Sequence, residues 1–281
     1  MPELPEIETL RHDLSELMIG KSINGVSVAN RRSIRVHSSI GEFEQPLLGA
    51  QIREIRRKGK FLSITVSSQY RQSFALVAHM GMSGQLRSYA SHKDVPKHSH
   101  VVFELSDQSL VVFVDPRTFG QLYLDELDQS GLASSLSRLG IDPINQPESV
   151  YGALQGCMNR KTGIKWMLLD QSHLCGIGNM YADEILFRAG VRFDRPCRTL
   201  CTEELSAIAG SISEVLNAAI LLRGSSLKDL QYRDVAGGLG GYQNMHLAYG
   251  REGLECLRCH GIVERMFSKG RSSFFCRSCQ R

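Results

Sequence analysis

The chain has 281 residues, 42% of them hydrophobic, and its 33 basic and 29 acidic side chains give a net charge of +4. That is enough apolar sequence to fill two ordinary domain cores, which excludes a disordered or fibrous chain, and the mildly basic balance permits nucleic acid without demonstrating it. No stretch reads as the roughly 20 apolar residues of a membrane helix, and an acid stands where a signal peptide carries its basic segment, so the sequence predicts a cytosolic protein.

The chain opens MPELPEIETLRHDL. Ile7, Leu10, Leu14 and Leu17 recur at helical spacing, which predicts a helix from about Pro5 with Glu6 and Glu8 in its first turn. Proline at a helix start and acids at the positive end of the helix dipole are ordinary helix chemistry, and they leave Pro2 and Glu3 unexplained. From about Ser22 to Leu124 the runs INGVSVA, FLSITVSS, FALVAHM, HVVFEL and SLVVFVD are short and β-branched, broken by Gly, Ser, Asp and Pro, and predict a sandwich or barrel. We place this domain at 1–130 and a polar, Ser-rich linker at 131–148.

Beyond the linker the period becomes helical. PESVYGALQG, GIKWMLLDQ, NMYADEILFRAG and TEELSAIAGSISEVLNAAILLRG predict four helices within 149–245, the third and fourth each followed by a glycine suited to a C-terminal cap. RDVAGGLGGYQ is Gly-rich and predicted to be mobile. Cys157, Cys175, Cys197 and Cys201 are scattered and read as buried small hydrophobes, since a cytosolic chain does not favour disulfides.

The last segment, 246–281, is different. Cys256, Cys259, Cys276 and Cys279 form C-x2-C-x16-C-x2-C, the spacing of a four-cysteine zinc site. Four thiolates fill a tetrahedral shell and leave no open position, so the predicted metal is structural, and its binding folds a module too small to bury a core alone. From Arg251 onward seven basic residues face three acidic ones. Lys269, Arg271 and Ser272 fall on a predicted hairpin turn, where Arg271 reads either as a phosphate contact or as part of a solvated turn.

Four further stretches carry candidate chemistry. In GIGNMYADE, Gly176 and Gly178 precede Asn179 at a helix start, an arrangement that serves as an anion site or as a plain N-cap. IRRKGKFLSI is a basic run entering a strand, from which one lysine could enter a groove. HMGMSGQLR and DPRTFG are loops carrying Met82, Arg117 and Phe119. Apolar side chains at loop tips suit a wedge between bases with an arginine replacing lost hydrogen bonds, or a packed turn.

Taken in order, PELPEIET, RRKGKFL, HMGMSG, DPRTFG, LLDQ with GIGNMYADEILF, and the four-cysteine finger resemble the bacterial formamidopyrimidine-DNA glycosylase family from end to end. The resemblance implies an α+β multidomain fold: an N-terminal β-sandwich with an N-terminal helix, a helical helix-two-turn-helix domain and a C-terminal zinc finger, with DNA held between domains. It implies a bifunctional DNA glycosylase and AP lyase of base excision repair, excising 8-oxoguanine and formamidopyrimidines from damaged double-stranded DNA. It further implies one structural Zn2+, no nucleotide cofactor, no membrane and a monomer in the bacterial cytoplasm.

The same resemblance accounts for the opening residues. With the initiator methionine removed, Pro2 is the amine that attacks the sugar and forms a Schiff base, followed by β,δ-elimination, and Glu3 relays protons. Lys60 matches the essential lysine near the target phosphate, and Asn179 and Arg271 match residues gripping the same backbone, Arg271 being grouped with the catalytic set. His100 and Lys165 are further expected DNA contacts. Met82, Arg117 and Phe119 match the trio that fills the gap left by a flipped nucleotide, and RDVAGGLGGYQ corresponds to a loop that closes over the extruded purine. Thr118 departs from the second arginine usual after Arg117, and Ser273 and Phe274 replace a Thr-His pair. An endonuclease VIII-like enzyme for oxidised pyrimidines and a catalytically silent binder of damaged DNA are the rival readings; Leu4, where the former branch carries glycine, favours purine repair.

Overall fold

The computed structural model describes residues 2–68, 71–227 and 232–281. The chain forms two compact units: residues through Ser137 together with Arg223–Gly240, and Arg138–Leu222 together with Gly241–Arg281.

The first unit begins with α1, Leu4–Met18, whose N-cap is Glu3 and which carries proline in its first turn. The Glu6 carboxylate reaches back to accept the Glu3 N–H at 2.8 Å, satisfying a donor the helix leaves free. Ile7, Leu10, Leu14 and Met18 are the buried stripe, with Leu17 half-buried beside it. Eight strands follow: β1 Ile23–Val28, β2 Gln51–Lys58, β3 Phe61–Ser68, β4 Arg71–His79, β5 Gln85–Tyr89, β6 Ser99–Leu105, β7 Leu110–Val114 and β8 Gln121–Glu126, with the short α2, Ile40–Glu44, between β1 and β2.

They pair antiparallel as two four-stranded sheets, β1-β6-β7-β5 and β2-β3-β4-β8. One core drawn from both sheets and α1 lies between them, including Ile52, Leu62, Leu76, Val101, Phe103 and Phe113. Strand β7 is buried on both faces, because Leu110, Val112 and Val114 form a second cluster under Tyr89 and Val95. This explains its uninterrupted apolar run.

RDVAGGLGGYQ, placed on sequence in the helical domain and predicted to be mobile, lies mostly within Arg223–Gly240, which belongs to this first unit, and described residues of that segment are held by side chains and backbone from elsewhere. Ser225 N donates to Glu6 Oε1 at 2.8 Å, Arg223 bonds both Asp13 and Asp234, and Ser88 N donates to Val235 O at 2.9 Å. The glycines serve close approach here: a Cβ on Gly237 would lie 2.3 Å from Arg87 Nη2, and one on Gly224 2.7 Å from Glu6 Oε1. The stretch is glycine-rich because side chains from elsewhere fill its space.

The second unit contains α3 Val150–Gln155, α4 Ile164–Leu168, α5 Asn179–Ala189, α6 Thr202–Leu221, and a hairpin of β9 Val263–Ser268 and β10 Arg271–Cys276. Gly190 caps α5 in the left-handed conformation, as predicted. For α6 the cap is Leu222, and Arg223 (φ 60°) takes the left-handed position before Gly224. Contrary to the sequence expectation, α6 is long and apolar enough to cross a membrane by length and composition. Its buried residues Leu205, Ile208, Ile212, Val215, Leu216 and Ala219 recur at helical spacing, giving one face that packs on α5. Cys157, Cys175 and Cys197 are buried, whereas Cys201 is exposed at the α6 N-cap, where its N–H donates to Glu204.

Candidate active site

On the first unit, Pro2 and Glu3 are both buried at the head of α1, Glu3 with 3% of its surface exposed. Met1, whose removal the sequence reading requires, lies outside the described residues. The helix is fixed to β2 by the Arg57 guanidinium, which donates to Glu8 Oε2 at 2.7 Å and to Gly59 O at 3.2 Å. Gly59 and the buried Lys60 form the β2–β3 turn, so one buried arginine ties the turn bearing Lys60 to the second turn of α1.

His79, which the sequence reading passed over, ends β4 opposite Phe61, with the two rings 4.5 Å apart. Burial, with the charges of Lys60 and Arg35, pushes its pKa down to about 4. It is therefore a neutral imidazole near Lys60 at ordinary pH. The available clue was spacing: a lysine leading into one strand and a histidine closing its neighbour arrive at the same end of the sheet.

The HMGMSG and DPRTFG loops interlock. Asp115 is fully buried, and its carboxylate accepts from Ser83 Oγ at 2.5 Å and from Gly120 N at 2.6 Å. Arg117 N donates to Ser83 Oγ at 3.3 Å. A Cβ on Gly81 would sit 2.5 Å from Gly120 N, so only glycine permits this approach. The result is a rigid base presenting Met82 at 39% and Phe119 at 45% exposure, with the Arg117 guanidinium 5.1 Å from the Phe119 ring centre. His100 is buried, and its Nε2–H donates to Asp115 O at 2.8 Å, supporting this turn from beneath.

On the second unit, Asn179 starts α5 and its Nδ2 donates to Ser272 O at 3.0 Å. Lys165 donates to the same carbonyl and to Ser273 Oγ, each at 2.9 Å. These bonds fix the first residues of β10 beside the α5 N-terminus, and the exposed Arg271 stands next to the shared carbonyl. The hairpin turn proper is Lys269–Gly270, with φ of 47° and 76°, so Arg271 opens the strand. Two sequence expectations change here. Lys165 has no exposed side-chain surface and pairs with Asp183 at 2.7 Å, so in this structure its ammonium is engaged in holding the hairpin. The Gly176 N–H is taken by Gln171 Oε1 at 2.8 Å and does not contribute to an anion site.

The four Sγ atoms of Cys256, Cys259, Cys276 and Cys279 lie within 4.8 Å of one another. Cys256 and Cys279 are 3.7 Å apart and Cys259 and Cys276 3.5 Å. A tetrahedral ion with metal–sulfur distances of about 2.3 Å needs sulfur–sulfur edges of about 3.8 Å, so the donor set fits such an ion. Cys256 and Cys276 also join Val263 and Ala248 around Phe187 of α5. Glu184 of the same helix accepts backbone N–H groups from Leu247, Ala248 and Tyr249 at 2.7–3.0 Å.

Comparison with known proteins places the chain in a family. Residues 1–122 match the formamidopyrimidine-DNA glycosylase N-terminal domain and residues 139–231 the formamidopyrimidine-DNA glycosylase H2TH domain. The chain is 37% identical over 284 residues to the formamidopyrimidine-DNA glycosylase of Laribacter hongkongensis, covering all of both chains. Its fold matches MutM (Fpg) of Thermus thermophilus with a TM-score of 0.86 at 36% identity, covering 99% of this chain and 98% of the other. It also matches Lactococcus lactis Fpg in complex with DNA containing N7-benzyl-Fapy-dG, with a TM-score of 0.86 at 26% identity over all of both chains. The chain belongs to the formamidopyrimidine-DNA glycosylase family and is an enzyme of DNA repair, a DNA glycosylase with AP-lyase activity.

Proposed function

We propose that this enzyme excises oxidised purines, 8-oxoguanine and formamidopyrimidines, from duplex DNA and then cleaves the strand by β,δ-elimination. The observation that carries the reading is the buried Pro2–Glu3 pair at the head of α1, tied through Glu8 and Arg57 to the turn bearing Lys60. Once the preceding methionine is gone, the proline nitrogen is a secondary amine at the positive end of a helix. That field lowers its pKa from the usual value of about 8 and favours the free base.

The nitrogen attacks C1′ of the damaged nucleotide. The C1′–N bond to the base breaks, the amine loses its proton, and opening of the sugar ring leaves an iminium. Glu3 carries protons to the sugar oxygen or the departing base. Lys60 and the neutral His79 bind backbone phosphate near the reacting sugar, and Asn179 and Arg271 bind backbone from the second unit. Met82 and Phe119 fill the space vacated by the extruded nucleotide, with Arg117 toward the orphaned base.

We assign the four-cysteine site to Zn2+. When bound, it cross-links the hairpin that carries Arg271 and takes no part in the reaction. A monomer acting on DNA in the bacterial cytoplasm, without a nucleotide cofactor, completes the proposal.

A substrate panel tests it. Excision from duplexes containing 8-oxoguanine or Fapy-guanine opposite cytosine should exceed excision of thymine glycol. The reverse order would place the enzyme in the pyrimidine branch, and binding without excision of any lesion would make it a silent binder.

A further inference from the structure

Arg35 belongs to none of the motifs that identify the site, yet it reaches the turn that carries Phe119. It follows the 3-10 turn Arg31–Ile34, which is capped by Asn30 accepting the Arg32 N–H at 3.0 Å. From there its Nη1 donates to Gly120 O at 2.9 Å and to Arg32 O at 3.2 Å, and its Nη2 donates to Phe119 O at 3.4 Å. A single planar guanidinium thus spans two successive carbonyls of the turn, 84 and 85 residues away in sequence.

The turn needs such a restraint. Thr118 has φ of 55°, a left-handed conformation in which a β-branched side chain is disfavoured. Its N–H donates to Asp115 O at 3.2 Å, and the close packing of Gly81 fixes one side of the turn. The Phe119 carbonyl also lies against Gly81, where a Cβ would stand 2.7 Å from its oxygen, and Arg35 adds charged donors to it and to the Gly120 carbonyl from 84 and 85 residues away.

We propose that Arg35 is a positioning residue for the wedge: its guanidinium fork, donating to the Phe119 and Gly120 carbonyls, holds the turn with the Phe119 ring outward, and a positive charge alone does not replace it. The inference rests on the reading of Phe119 as a wedge. Arg35 is exposed, so the competing role is a simple phosphate contact. Lysine separates the two, because it keeps the charge and loses the fork.

The experiment uses the full-length, zinc-loaded protein and its Arg35→Lys, Arg35→Ala, Phe119→Ala and Arg35→Lys/Phe119→Ala variants. Each is mixed with a duplex carrying 2-aminopurine beside 8-oxoguanine, whose fluorescence rises on unstacking. Affinity for undamaged duplex is measured against salt in parallel, and melting temperature and zinc content check the fold. Arg35→Lys should lose most of the fluorescence rise, as Phe119→Ala does, and lose about tenfold in kcat/KM, the scale of one charge-assisted hydrogen bond. It should keep wild-type affinity and salt slope on undamaged DNA, and the double variant should be no worse than Phe119→Ala alone.

A wild-type fluorescence rise in Arg35→Lys, or additive losses in the double variant, would overturn the proposal in favour of a phosphate contact. If Phe119→Ala itself keeps the full rise, the wedge reading fails and this inference fails with it.

Discussion

Lys165 Nζ lies 2.7 Å from Asp183 Oδ1, and neither side chain has exposed surface. Burial pushes the Asp183 carboxyl up, opposed by the Lys165 charge and by the Phe274 N–H that its other oxygen accepts at 3.0 Å. The pair therefore fastens three successive residues of β10, Ser272 to Phe274, onto α4 and α5. A buried pair contributes little net stability, but removing one partner strands the other. Lys165→Met should destabilise the second unit by about 3–5 kcal/mol in urea denaturation, and Lys165→Met with Asp183→Leu should cost less than the single change. A loss in the double variant equal to the sum of the Lys165→Met and Asp183→Leu losses would show that the pair is not coupled.

Acid should destabilise both units through histidine. Burial pushes His79 and His246 down to about 4, below the usual value near 6.5. Between those values the unfolded chain binds more protons than the folded one, so stability present above pH 6.5 is lost as pH falls toward 4, by up to roughly 3 kcal/mol for each histidine. Calorimetry at pH 7 and pH 5 should show the drop, and His79→Gln should flatten it for the first unit.

Phe119→Ala should separate search from fold. The ring is 45% exposed, so its removal leaves the core intact. Excision from duplex DNA should fall at least tenfold, on the scale of the few kcal/mol that flipping costs, while melting temperature and zinc content stay at wild-type values. Steady-state kinetics beside calorimetry would read both.

Metal removal should act on one module. Chelation, or Cys276→Ser, takes away the cross-link that organises the β9–β10 hairpin, and with it the placement of Arg271. Lesion binding should be lost while the sandwich core of the first unit still melts cooperatively. Hydrogen exchange should show loss of protection confined to β9, β10 and the segment Leu247–Tyr249.

Much of this was legible in the sequence where local pattern and tertiary role coincide. The α1 stripe, the all-apolar β7 and the cysteine spacing each state their own burial. Strands β5 and β8 were missed because they are short edge strands with alternating polar residues, and β2 because Arg53, Arg56 and Arg57 masked the buried Ile52 and Ile55. RDVAGGLGGYQ misled for another reason: glycine reports local freedom, and the groups that remove it, Arg87 at Gly237 and Ser88 at Val235, lie far earlier in the chain, Ser88 by 147 residues. Lys165 looked like a DNA ligand for want of any sign that Asp183 would face it. His79 and Arg35 act through sheet register and a long reach, which no single motif records.

If Pro2 is the nucleophile, borohydride should trap it on damaged DNA. The correctly processed enzyme is mixed with a duplex containing 8-oxoguanine opposite cytosine, beside an undamaged duplex and a Pro2→Gly control. A covalent protein–DNA adduct that depends on the lesion and is lost or sharply reduced in the control is the predicted result. An adduct that peptide mapping places on a residue other than the N-terminal one would contradict the account, since another amine would then form the Schiff base; the Pro2→Gly control keeps a primary α-amine, so only its yield is informative.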